Sequence, residues 1–147
     1  MTTIAAVCAM LPDADTVGFR LGIPYGSMWG HRGFTHSVLF AALAAVVVVT
    51  CFWRRAGPSD MTRALLCIFV ATASHGVLDA FTDGGLGVAF FAPFDGARYF
   101  FPVRPIRVSP IGVARFFSRT GMDVLSSEMI WVWIPSGVLA LFARALR

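Results

Sequence analysis

The chain has 147 residues, of which 57% are hydrophobic and 14% charged, with a mean hydropathy of +0.74. A soluble domain of this size carries about a quarter charged residues, so this composition speaks against an ordinary soluble fold and for a bilayer. The formal charge is +4 and every basic residue is arginine. The aromatic residues sit inside apolar runs rather than among the arginines, which argues against a nucleic-acid surface. No nucleic-acid partner is expected.

The apolar residues are concentrated in three uncharged runs, 38–53, 64–73 and 129–143. In chain order, the first element is a short apolar stretch at 4–11, too short to span a bilayer and without the basic flank of a signal peptide. It reads as the second half of a helix. A polar region rich in Gly, Pro, Asp and His follows at 12–34. The second element covers 35–53, or about 28 Å at 1.5 Å per residue, close to the roughly 30 Å of a hydrocarbon core. Thr35 is its expected N-cap. A tight turn at 54–60 contains Gly57 and Pro58 and leads to the third element, 61–81, capped by Ser59 or Asp60. Thr82-Asp83-Gly84-Gly85 then ends that helix. A second polar region runs to about residue 127, with Pro93, Pro102, Pro105 and Pro110 and five arginines from Arg98 to Arg119. The fourth element, about 127–146, is interrupted by Pro135 and Gly137, either of which can kink it. Trp131 and Trp133 read as an interfacial belt. Cys8, Cys51 and Cys67 lie in apolar segments without CxxC spacing and read as free thiols.

The predicted architecture is therefore all-α: an integral membrane helical bundle of about three spanning helices plus a shortened N-terminal helix. It forms one domain over residues 1–147, with polar Gly/Pro-rich loops at one face. A hairpin of the second and third elements brings both polar regions to that face. Asp13, Asp15, His31, His36, Asp79, Asp83 and Glu128 all fall there, with Asp123 nearby. All three histidines of the chain belong to that end.

Three segments carry chemistry. In Pro12-Asp13-Ala14-Asp15 two carboxylates two residues apart can reach one cation from an irregular backbone. In His31-Arg32-Gly33-Phe34-Thr35-His36-Ser37 the two histidines converge if one is in the loop and the other in the first helical turn. Neutral imidazole suits Zn, Mn, Fe or Ni, and Arg32 offers a planar fork for a phosphate or carboxylate. In Ser74-His75-Gly76-Val77-Leu78-Asp79, His75 and Asp79 share one helix face at i and i+4. An ionisable pair in a membrane helix is costly and marks a functional position. Glu128 opens the last helix, where a dipole or capping role is also open to it.

The strings PDAD, HRGFTHS and SHGVLDAFTDGG, in that order, resemble the YdjM-like family of bacterial inner-membrane proteins. APFDGARYFFPVRPIRVSPIG and SEMIWVWIP look like one branch of it. The resemblance spans about residues 5–146. Members of that family are described as metal-dependent hydrolases and as LexA-binding. The resemblance implies a multi-pass protein of the bacterial inner membrane, with Asp13, Asp15, His31, His36, His75 and Asp79 at metal or catalytic positions. Arg32, Thr35 and Glu128 follow less directly. Family members begin with a further stretch holding a Thr-His pair, so the resemblance implies an additional ligand upstream. The His-x-x-x-Asp pair is also similar to a ligand pair of helical zinc-dependent phospholipases C, which implies phosphoester substrates.

The function expected from the residues and the resemblance is hydrolysis with a divalent metal, Zn or Mn, acting on a phosphoester or lipid-linked substrate. Asp13, Asp15, His31, His36, His75 and Asp79 are divided among one or two ions, or between ligand and base. Asp15 and Glu128 are the candidate catalytic carboxylates. Arg32, with Arg104 or Arg107, faces an anionic transition state. The rival reading is a non-enzymatic membrane regulator or scaffold with a structural metal. A permease would need polar residues along a path through the bilayer, and 38–49 supplies none.

Overall fold

The computed structural model describes residues 1–109 and 117–146. Pro110 and Arg115 of the second polar region, and Arg147, lie outside the described residues. The described chain is helical, with no named strand. Its β-type pairing is limited to the isolated bridges Thr82–Ile106 and Val88–Tyr99. The backbone divides into two compact units: Met1–Ala80 with Leu86–Phe100, and Phe81–Gly85 with the described residues of Phe101–Arg147.

The first unit is built on three helices. α1 (Thr2–Met10) runs into an eleven-residue 3-10 helix, Leu11–Leu21, where the sequence suggested irregular backbone. Pro12 suits the first turn of that helix, and Gly22 at φ 75° ends it in the left-handed region. α2 covers Val38–Trp53 and α3 covers Pro58–Ala80. The cap of α2 is Ser37, whose hydroxyl accepts the Phe40 amide at 3.0 Å. Thr35, the expected cap, belongs instead to a separate 3-10 turn, Phe34–His36.

The packing of α1, α2 and α3 follows a four-residue period. α2 buries Ala41, Ala45 and Val49, and α3 buries Ala64, Ile68, Thr72, Gly76 and Ala80. These positions fall on one helix stripe, and small residues there let backbones approach, as membrane helices require. Cys8 of α1 joins Ala45 and Ile68 in this core, in keeping with a free apolar thiol. Outward positions such as Leu43, Val47, Leu66 and Val70 are apolar and exposed, the reverse of a soluble bundle.

The second unit carries a helix that starts earlier than the sequence suggested. α4 (Arg119–Glu128), a π-helical turn (Met129–Trp133) and α5 (Ile134–Ala145) follow without a break. Pro135 lacks an amide, and its ring opposes the carbonyl one turn earlier. A π turn preceding it widens the ladder at that place. Glu128 therefore lies inside this helix rather than at its start. Pro58–Ala80 and Arg119–Ala145 are each long and apolar enough to cross a membrane, and Val38–Trp53 is a shorter apolar helix.

Ala45 is almost fully buried where the three helices of the first unit meet. Ala45→Leu is expected to overpack that contact and cost about 1–3 kcal/mol, read as a lower melting temperature in detergent. An unchanged melting temperature would contradict this packing.

Candidate metal centre

Four segments of the first unit deliver the polar side chains: the 3-10 helix 11–21, the loop 30–37, the C-terminal turns of α3 and the loop 86–99. Their approach depends on glycine at three places. A Cβ at Gly76 would stand 2.7 Å from the His36 carbonyl oxygen, so glycine there lets the His36 loop lie against α3 between His75 and Asp79. A Cβ at Gly30 would overlap the carbonyls of Pro24 and Tyr25, and one at Gly33 that of Met28. The His31–His36 segment is thereby folded tightly on itself. Between those glycines Arg32 takes a left-handed φ of 62°, a conformation that costs a non-glycine residue on the order of 1–3 kcal/mol.

The two aspartates of the 3-10 helix part ways. At three residues per turn, positions i and i+2 do not share a face. Asp15 is buried, its side chain 2% exposed, while that of Asp13 is 53% exposed. Asp15 Oδ1 accepts from His31 Nδ1 at 2.7 Å, and Asp15 Oδ2 accepts the Thr35 hydroxyl at 2.5 Å. His36 Nδ1 lies 3.3 Å from Asp15 Oδ2. Asp15 is thus a buried acceptor for three groups of the His31–His36 segment.

Asp13 faces the other edge of the imidazoles. Its Oδ1 lies 3.1 Å from His75 Nε2 and 3.6 Å from His36 Nε2. Asp79 Oδ2 stands 3.2 Å from His36 Nε2 and 3.9 Å from His75 Nε2. The other Asp79 oxygen accepts Arg32 Nη2 at 3.0 Å. His36 Nε2 is buried and meets no hydrogen-bond partner of acceptable geometry among the described residues, although carboxylate oxygens of Asp79 and Asp13 lie 3.2 and 3.6 Å from it. The imidazoles of His36 and His75 meet edge to face at 5.0 Å.

Asp13, His36 and His75 form a group that could hold a metal ion, as do Asp15, His31 and His36. The first group fits better. Ligands about 2.1 Å from a tetrahedral cation stand about 3.4 Å apart. In the first group Asp13 Oδ1 lies 3.1 Å from His75 Nε2 and 3.6 Å from His36 Nε2, and Asp79 Oδ2, outside both groups, lies 3.2 Å from His36 Nε2 and 3.9 Å from His75 Nε2. In the second group the 2.7 Å His31–Asp15 contact is a charge-assisted hydrogen bond. The donor chemistry also agrees: His36 offers an unbonded Nε2 while its Nδ1 faces a carboxylate, the arrangement that orients a ligating histidine.

The charges explain the protonation. Burial alone would lower the His36 pKa, but the facing carboxylates of Asp13, Asp15 and Asp79 raise it to about 10. Burial opposes ionisation of Asp13 and Asp15, and their histidine partners overcome it, holding both well below the usual carboxylate range.

The remaining sequence candidates belong to the second unit. Glu128 is half-buried in the second unit, at the last residue of α4. Asp83, also in that unit, accepts Arg107 Nη1 at 3.1 Å and the Val108 amide at 2.9 Å, the bonds of a loop lock. Arg98 was not singled out in the sequence. Its guanidinium donates to the carbonyls of His31, Gly87, Tyr25 and Ser27 at 3.0–3.3 Å, tying the histidine loop to the 86–99 loop. Nothing in its spacing announces this, because its acceptors are backbone atoms far away in sequence.

A pH dependence follows. The folded pKa of His36 lies above its ordinary value of 6.5, so its contribution to stability is complete below that value and is lost as pH rises toward about 10. The Asp13 and Asp15 contributions are complete above their ordinary 3.8 and are lost as pH falls below it. In the presence of chelator, the melting temperature is expected to fall between pH 6.5 and pH 10, and His36→Ala to remove most of that fall. A flat profile for the unaltered chain would contradict the pairing.

A family model described as YdjM inner membrane protein matches residues 1–147. The chain is 41% identical over 135 residues to the inner membrane protein YbcI of Escherichia coli strain K12, covering 90% of this chain and 76% of that protein. It is 32% identical over 97 residues to the protein YvsG of Bacillus subtilis strain 168, covering 61% of this chain and 56% of that protein. No solved structure matches the chain with significance.

Proposed function

The chain belongs to the YdjM inner membrane protein family and is an inner-membrane protein, and from that premise we propose that it is a membrane-bound, metal-dependent hydrolase of phosphoester or lipid-linked substrates. In this reading Val38–Trp53, Pro58–Ala80 and Arg119–Ala145 all cross the bilayer, making the protein multi-pass. The observation that carries the reading is the buried Nε2 of His36, without a hydrogen-bond partner among the described residues, set among Asp13, His75 and Asp79.

The charge count supports a divalent ion. Asp13, Asp15 and Asp79 are three carboxylates, and one guanidinium, Arg32, is paired with them, so three minus one leaves two negative charges when the imidazoles are neutral. Nitrogen and oxygen donors of this kind suit Zn or Mn. When bound, such an ion would lower the pKa of a coordinated water toward 7 and supply hydroxide at neutral pH.

The protein's own groups then have distinct tasks. Asp13, His36 and His75 would hold the ion, with Asp79 beside them. Asp15 fixes the tautomer and plane of His36 through Nδ1 and holds His31 beside it. Arg32 orients Asp79 and offsets its charge, a positioning role rather than a direct contact with substrate. Asp13 is the exposed member, and its side is where water and a substrate oxygen reach the centre. Glu128 as a catalytic carboxylate is a separate proposal, tested by Glu128→Gln in the same assay.

The test is turnover of a chromogenic phosphodiester and of a phospholipid by the metal-loaded protein in detergent. The expected result is phosphoester cleavage abolished by His75→Ala. Asp15→Asn is expected to keep the ligand set but weaken metal affinity about 10- to 100-fold. Stoichiometric metal with no turnover of any phosphoester, lipid or soluble, would overturn the hydrolase reading and leave a membrane regulator with a structural metal.

A further inference from the structure

Two aromatic groups bracket the first turn of α2. On one side, Trp29 packs on Phe34 at 5.4 Å and Phe34 on Phe40 at 5.8 Å, and Phe40 already belongs to the helix. On the other side lies the turn between Val88 and Tyr99. These two residues exchange amide–carbonyl hydrogen bonds at 2.9 and 3.0 Å, and the turn between them carries Phe90, Phe91 and Phe94. The amide of Val38, the first residue of α2, donates to the Phe90 carbonyl at 3.0 Å. The aromatic turn is therefore bonded to the level at which the uncharged helix begins.

This turn is held in place by its own bonds. The Phe94 and Asp95 amides donate to the Phe91 carbonyl at 3.0 and 3.1 Å. Asp95 accepts the Ala97 amide through one oxygen and the Tyr99 hydroxyl through the other. Phe91 packs edge to face on Tyr99. A fixed turn nevertheless leaves Phe94 85% exposed, Phe91 55% and Trp29 60%. Tryptophan collects at the membrane–water interface, phenylalanine beside it buries at the headgroup–acyl boundary, and an exposed apolar cluster on a fixed frame marks an interaction surface.

We propose that the 90–94 turn and Trp29 insert into the headgroup–acyl boundary of the bilayer that α2 enters, so that lipid is the partner of this surface. The helix start supplies the continuity: the turn is bonded to the first residue of an apolar helix in an inner-membrane protein. The insertion also sets the depth of the candidate metal centre. Arg98, in the same loop, is bonded to the His31 carbonyl, and the Ala89 amide donates to the Arg32 carbonyl at 3.0 Å. The turn and the His31–His36 segment thus keep one level in the membrane, which lets the centre meet lipid headgroups directly. This inference rests on the membrane location and not on the hydrolase reading.

The test places an indole in the turn. Phe94→Trp and, separately, Phe91→Trp are reconstituted as the full chain into vesicles of phosphatidylcholine and phosphatidylglycerol. Acyl chains brominated near the headgroup serve as the quencher from the lipid, and iodide as the quencher from water. Subtracting the emission of the unaltered protein removes the native tryptophans. The expected result is a blue-shifted added emission that bromolipid mostly quenches and iodide hardly affects. Emission at the aqueous wavelength with iodide quenching would overturn the proposal. Shielding from both quenchers would also overturn it, because the turn would then be covered by protein. Circular dichroism identifies a variant that fails to fold, in which case the other variant gives the reading.

Discussion

The buried carboxylate of Asp15 sets the conditions that the rest of the site meets. An ionised group removed from water is costly unless charge and hydrogen bonds replace its solvation. Thr35, His31 and His36 supply that replacement from one short segment. The segment can reach Asp15 only because Gly30 and Gly33 allow it to fold tightly and Gly76 allows it to sit against α3. Once His36 is held by Nδ1, its Nε2 is committed to the space between Asp13, His75 and Asp79. One carboxylate thus orients a histidine, and the histidine defines the centre.

The three-helix core makes that arrangement affordable. Its contact stripe of alanine, glycine, threonine and a few larger residues brings α1, α2 and α3 close, the Thr72 hydroxyl being satisfied by the Ile68 carbonyl of its own helix, while the outward surface stays apolar. The histidines and the carboxylates that face them gather at one end. His75 and Asp79 reach that end from α3, Asp13 and Asp15 from the segment after α1, and His36 from the segment before α2. Arg98 then joins the 86–99 loop to the His31–His36 segment through carbonyls, and Arg32 joins that segment to α3 through Asp79. Low dielectric strengthens each of these contacts and raises the cost of leaving any of them unmet.

Much of this was legible in the residues. Charge-free runs announce apolar helices, and i, i+4 spacing puts His75 and Asp79 on one face. The convergence of Asp13, His31 and His36 on that face follows from hairpin topology. Less could be read where backbone geometry decides. The residues 11–21 give no apolar periodicity, so the 3-10 helix that separates Asp13 from Asp15 was invisible, and the spacing alone let both carboxylates reach one cation. Thr35 and Ser37 are both good caps by type; the burial of Asp15 claims Thr35 and leaves Ser37 to the helix. Glu128 looked like a helix start because the preceding polar stretch hid α4. The role of Arg98 could not be read at all, since backbone carbonyls carry no side-chain signature.

The central proposal is that His36, His75, Asp13 and Asp79 surround one divalent ion while Asp15 orients the ligands. Elemental analysis of the detergent-purified full chain, incubated with Zn or Mn and then dialysed, tests it most directly alongside His75→Ala and Asp13→Ala. One bound ion per chain is expected in the unaltered protein, and its loss in both variants. No retained metal, or metal retained in full by both variants, would contradict it.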